Sequence, residues 1–128
     1  QKLITITMES FYEGLNFCKP GYRLSDISHA IQKHVEENGF SVVRDFVGHG
    51  IGNSMHEAPQ IPNYGIPDRG PRLVPGMVLA IEPMVNEGTY QVEVLEDNWT
   101  VVTRDGKRSA HYENTVVITE NEPLLLTV

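Results

Sequence analysis

Apolar positions at the start of the chain recur at helical spacing: Ile4, Met8, Phe11 and Leu15, flanked by Tyr12 and Cys18, mark the inner stripe of an amphipathic helix. Lys19-Pro20-Gly21 ends that pattern, because proline cannot continue the hydrogen-bond ladder. A second stripe, Ile27, Ala30, Ile31 and Val35, predicts another helix with Ser25 as its N-cap and Asn38-Gly39 as its stop. His29 lies off this stripe and His34 at its edge, five residues apart. They do not share a face as an i, i+4 metal pair would, so both read as surface or half-buried side chains.

From Phe40 the period changes. Ser41 to Val47 is rich in valine and phenylalanine and predicts a strand, broken by Gly48, Gly50 and Gly52. Five of the eight prolines fall between Pro59 and Pro75, which predicts a long irregular segment that is functional or wall-forming. Segments 77–85, 90–95, 99–103, 110–119 and 124–128, each bounded by turn residues, predict antiparallel strands. Two helices followed by a meander of strands make an α+β class.

Length and composition narrow this further. A chain of 128 residues buries roughly two-thirds of its unfolded surface in one domain. With 40% apolar and 21% charged residues it is an ordinary globular sequence, not a disordered one. The net charge is −7 and no lysine and arginine cluster is present, so nucleic acid and anionic membrane surfaces are poor partners. The longest aliphatic run, Met77 to Ile81, falls far short of the ~20 residues that cross a bilayer. Cys18 is the only cysteine, which excludes an internal disulfide and a thiolate zinc cage and suits a reducing compartment. It reads as a small hydrophobe on a helix face.

Three places carry candidate chemistry. The first is Gly48-His49-Gly50-Ile51-Gly52 with His56-Glu57 behind it. Glycines on both sides of a histidine let the backbone come close to whatever the ring touches, although a glycine-rich turn around a satisfied histidine gives the same pattern. The second is Glu82, whose neighbours in 77–85 are apolar on both sides. A carboxylate at the centre of a buried strand is costly unless paired, neutralised or bound to a cation. The third is Glu113, which alternation places on one strand face with His111 and Thr115, a face that is equally compatible with plain exposure to solvent. One histidine and two glutamates suit an oxygen-rich site for Mn²⁺, Fe²⁺ or Co²⁺ better than a structural zinc site.

His49-Gly50-Ile51-Gly52 with His56, Ala80-Ile81-Glu82-Pro83-Met84-Val85, and Ser109-Ala110-His111-Tyr112-Glu113-Asn114-Thr115 closely resemble the C-terminal half of type I methionine aminopeptidase. The likeness extends to Lys19-Pro20-Gly21 and Trp99-Thr100, and so to essentially the whole chain. It implies the pita-bread fold, two α+β halves about a pseudo-twofold axis with a dinuclear metal site between them, of which this chain is the C-terminal half: two helices, then an antiparallel sheet.

The resemblance assigns residues as well. His49 and Glu82 look like ligands of one metal and Glu113 like the carboxylate bridging two divalent ions, Co, Mn or Fe, with Zn possible. Glu82 doubles as the proton shuttle for a metal-activated water. His56 looks like the histidine that binds the substrate peptide and steadies the tetrahedral intermediate. Trp99 resembles the tryptophan lining the methionine pocket, and Met55 stands where bacterial members usually carry an aromatic. His111 occupies a position that varies in the family and is expected to touch the ligands rather than the metal.

The implied reaction is hydrolytic removal of N-terminal methionine from nascent proteins and peptides in the cytosol. Two alternatives belong to it: a prolidase or proline aminopeptidase, which typically has glycine where Met84 stands, and a catalytically silent pita-bread binding module. The family also uses two aspartate ligands and a further histidine from an N-terminal half. Gln1 leads straight into a helical pattern without a cap. Residues 1–128 are therefore expected to be a C-terminal half, with the N-terminal half of the same enzyme as partner and little activity without it.

Overall fold

A computed structural model describes residues 2–44, 48–50, 57–88, 91–94, 101–103 and 106–127. Two helices, α1 (Lys2–Leu15) and α2 (Leu24–Glu37), pack on each other. The strands that follow are β1 (Ser41–Val42), β2 (Gly48–Gly50), β3 (Glu57–Ile61), β4 (Val78–Ile81), β5 (Met84–Asn86), β6 (Val92–Val94), β7 (Val101–Thr103), β8 (Ser109–His111), β9 (Asn114–Val117) and β10 (Leu124–Leu125). One sheet has the order β10-β9-β4-β2-β3 and another β1-β5-β8, while β6 and β7 form a separate hairpin. Among the described residues all pairings are antiparallel. The expected α+β order of helices before strands is what the chain adopts.

Helix α1 is rotated relative to the expected stripe. It buries Leu3, Ile6, Thr7, Ser10, Phe11 and Gly14, while Ile4 is 61% and Met8 39% exposed. The cause is the closeness of α2: a Cβ on Gly14 would stand 3.0 Å from Ile31 Cγ1 and 3.2 Å from Ile27 Cγ2, so small residues must face the seam. The buried hydroxyls are satisfied within the helix. Thr7 Oγ1 donates to Leu3 O at 2.7 Å and Ser10 Oγ to Thr7 O at 2.7 Å. Phe11, Ile27, Ile31, Val35, Val42, Ile61, Leu79, Ile81, Val85, Val116 and Ile118 form one core between helices and sheets. Cys18 is part of it, and burial pushes its thiol pKa up to about 12.

The N-cap of α2 is Arg23, not Ser25. Asp26 Oδ2 accepts from Arg23 N at 2.8 Å, and the first helical amides are met by the proline-rich segment: Leu24 N donates to Pro71 O at 2.9 Å and Ser25 N to Arg69 O at 3.1 Å. Ser25 Oγ instead accepts from Arg69 N at 2.6 Å. The α2 stop is as expected, with Asn38 at the C-cap and Gly39 at φ +83°, a region that favours glycine. The proline-rich segment itself opens with a strand where none was expected: β3 carries Pro59 at the sheet edge, beside a register shift against β2 between His49 and Gly50.

The two long strands predicted over 77–85 and 110–119 are each broken in two. β4 gives way to β5 at Glu82-Pro83, and β8 to β9 at Tyr112-Glu113. Proline has no amide to donate, so the ladder cannot run through position 83 unaltered. The two ribbons bend together at that level, passing from one sheet to the other.

Candidate metal centre

The bend places the two glutamates opposite each other. Before it Ala80 faces Thr115 and Ile81 faces Asn114; after it Met84 faces His111 and Val85 faces Ala110. Tyr112 N donates to Pro83 O at 3.0 Å between them, so one register is kept throughout. Glu82 consequently falls directly across from Glu113, with His111 diagonal to Glu82. Like charges facing each other across a strand pair repel, and nothing about core packing asks for them there.

Side-chain geometry completes the cluster. One donor atom from each of Glu82, His111 and Glu113 lies within 4.8 Å of the others. His111 Nε2 is 3.7 Å from Glu82 Oε1, with the side chains 44% and 21% exposed. The burial expected for Glu82 is thus corrected: it sits half-buried at the bend, within reach of solvent, because the strand that was to bury it ends at Ile81. Two converging carboxylates and an imidazole are a donor set that fits a divalent cation of the Mn²⁺, Fe²⁺, Co²⁺ or Zn²⁺ type.

Neighbouring segments fix the bend in place. Asn63 is fully buried, and its Nδ2 donates to Glu82 O at 2.9 Å. The loop carrying Asn63 is clamped to α2, where Gly65 N donates to Gln32 Oε1 at 2.9 Å and His29 Nδ1 donates to Gly65 O at 3.1 Å. On the Glu113 side, Thr115 N donates to Thr127 Oγ1 at 2.9 Å and that hydroxyl bonds the buried Asn114 amide at 2.6 Å. His29, read from sequence as an unremarkable half-buried side chain, thereby helps hold the segment that steadies a candidate ligand.

Of His49 the structure describes the backbone: it lies in β2, opposite Ala80 of β4, two residues before Glu82. His56, Met55 and Trp99 lie outside the described residues. Asn63 was missed by the sequence reading. Its only local signal is a short polar side chain between Pro62 and Tyr64 in a segment expected to be wall-forming. His111, by contrast, was legible from alternation with Glu113.

Comparison with known proteins bears on this site. The model of metallopeptidase family M24 matches residues 1–120. The chain is 63% identical over 128 residues to a methionine aminopeptidase of Clostridium perfringens and 62% identical over 127 residues to methionine aminopeptidase 1 of Bacillus subtilis, covering 51% of each. It spans about half the length of these curated relatives. A crystal structure of methionine aminopeptidase from Thermotoga maritima superposes with a TM-score of 0.96 at 55% identity, over 98% of this chain and 51% of that one. A prolidase from Pyrococcus furiosus gives a TM-score of 0.74 at 25% identity, over 99% and 32%. The fold over these residues is therefore the pita-bread arrangement that the sequence resemblance implied.

Proposed function

The chain belongs to metallopeptidase family M24, and from that premise we propose that it carries part of the catalytic centre of a metal-dependent methionine aminopeptidase, which hydrolyses the bond after an N-terminal methionine. The observation that carries this reading is Glu82 set opposite Glu113 at the bend, with an imidazole beside them. Identities of 63% and 62% to methionine aminopeptidases, against 25% to a prolidase, favour methionine over a proline-directed substrate. The presence of Glu82, Glu113 and His49 together speaks against a silent binding module.

In this reading His49, Glu82 and Glu113 hold a pair of divalent ions, Mn, Fe or Co, with Zn possible. Bound there, the metal would supply a Lewis acid for the scissile carbonyl and would lower the pKa of the attacking water. The protein's part is positional. Glu82 takes a proton from the attacking water and returns it to the leaving amine, and Asn63 fixes the carbonyl that sets Glu82 in line. His56 steadies the oxyanion of the tetrahedral intermediate, and Met55 and Trp99 line the methionine pocket. Residues 1–128 act as the C-terminal half of the catalytic unit, an N-terminal half completing its ligand set. The substrates are nascent proteins and peptides in the cytosol.

A chimera tests this directly: residues 1–128 replace the matching half of the Bacillus subtilis relative, and methionine release from Met-Ala-Ser is followed with Mn²⁺ or Co²⁺. Metal-dependent release that disappears in Glu82→Gln is the expected result. A folded, metal-loaded chimera that releases no methionine, or a Glu82→Gln variant of near-normal rate, overturns the proposal.

A further inference from the structure

We propose that His111 is itself a metal ligand, so that Glu82, His111 and Glu113 form a three-donor site built wholly by the β4–β5 and β8–β9 bend. The inference rests on the metal reading above and changes the expectation for His111, which the resemblance placed against the ligands rather than on the ion.

Geometry is the first ground. The 3.7 Å between His111 Nε2 and Glu82 Oε1 is too long for a hydrogen bond, whose heavy atoms lie about 2.7 to 3.2 Å apart. Two ligand atoms each about 2.1 Å from one ion, spread by a tetrahedral or wider angle, stand about 3.4 to 3.7 Å apart. The separation is longer than a hydrogen bond and is one that two ligands of a shared ion would have. Within 4.8 Å the Glu113 carboxylate completes a triangle around the same point.

Register is the second. His111 and Glu113 are two apart on one ribbon and so share a face, and Glu82 comes to that face from the other ribbon, opposite Glu113 and two pairs along from Met84 and His111. The three side chains converge because of how the backbone is paired, so the triangle does not depend on a chance rotamer of one residue. Charge is the third: two carboxylates balance one divalent ion, and a neutral imidazole adds a donor without adding charge. At 44% exposure the His111 ring is open to an incoming ion.

The test is a Zn²⁺ titration of the metal-free chimera described above, labelled with ¹⁵N-histidine and read by calorimetry and by the imidazole nitrogen signals, with His111→Gln and Glu113→Gln alongside. His111→Gln assigns the His111 signal by its disappearance. The expected result is a His111 Nε2 signal that shifts in step with Zn²⁺ occupancy, and an affinity lowered about tenfold or more in His111→Gln. Unchanged affinity in His111→Gln with an unshifted His111 nitrogen overturns the inference and leaves the reading of Glu82 and Glu113 standing. Failure of the folded chimera to bind Zn²⁺, or binding that Glu113→Gln does not weaken, overturns both.

Discussion

The seam between α1 and α2 and the bend shared by β4–β5 and β8–β9 are solved by opposite means. At the seam packing accounts for the residues: Gly14 lets the helices approach, Ile27 and Ile31 fill the space, and the hydroxyls of Thr7 and Ser10 bond their own helix. At the bend two carboxylates face each other with an imidazole alongside, an arrangement that costs electrostatic free energy and brings no apolar burial in return. Where packing explains the residues, the role is structural; where packing does not ask for facing carboxylates, a ligand does.

Mutations at the two regions should therefore separate stability from metal binding. Ile31→Ala, at the seam, should lower stability by about 2 to 5 kcal/mol in urea denaturation while leaving the metal affinity of the folded fraction intact. Asn63→Ala links the regions: losing its bond to Glu82 O should cost about 1 kcal/mol, with a measurable drop in Mn²⁺ affinity. Stability lost without any change in affinity would show that Asn63 belongs to the core alone.

Glu82→Gln should do the reverse of a core mutation. Removing one of two opposed charges should raise the stability of the metal-free chain by about 0.2 to 1 kcal/mol. Mn²⁺ at a hundredfold its Kd should stabilise the parent by about 2.7 kcal/mol and the variant by far less. Thermal melts with and without Mn²⁺ read both effects; a variant stabilised by Mn²⁺ as much as the parent would erase the distinction between the regions.

The smallest effect lies at the far end of the ribbon. The Arg108 guanidinium, 2.7 Å from Glu87, holds that carboxyl below its usual pKa. A lowered folded pKa means the pair's contribution is present above the ordinary carboxylate pKa and is lost as pH falls through the folded value. Because both groups are exposed, the difference between parent and Glu87→Gln in acid titration should be slight and should vanish in high salt.

Much of this was legible in the sequence, and the failures share a physical cause. Helix existence, the stop at Asn38-Gly39, the β6–β7 hairpin and the pairing of Glu113 with His111 on one face followed from periodicity and turn chemistry. The buried stripe of α1 was misplaced because periodicity weighs Ile4 and Met8 above Thr7, Ser10 and Gly14, whereas a close helix crossing selects for small size. The bend was hidden because an apolar run such as 77–85 looks the same whether it crosses one sheet or two. Pro83 was the visible clue. Asn63 reaches Glu82 O across 19 residues and the cap of α2 depends on a loop 47 residues on, as in Leu24 N to Pro71 O, and no local pattern reports such contacts.

The central claim, that Glu82 and Glu113 face each other in order to hold a divalent ion, is tested most directly by anomalous diffraction from crystals of the chain grown with Mn²⁺. The account predicts an anomalous peak between the two carboxylates, within coordination distance of both. Occupied Mn²⁺ sites elsewhere, with Glu82 and Glu113 carrying no peak at saturating metal, would contradict it.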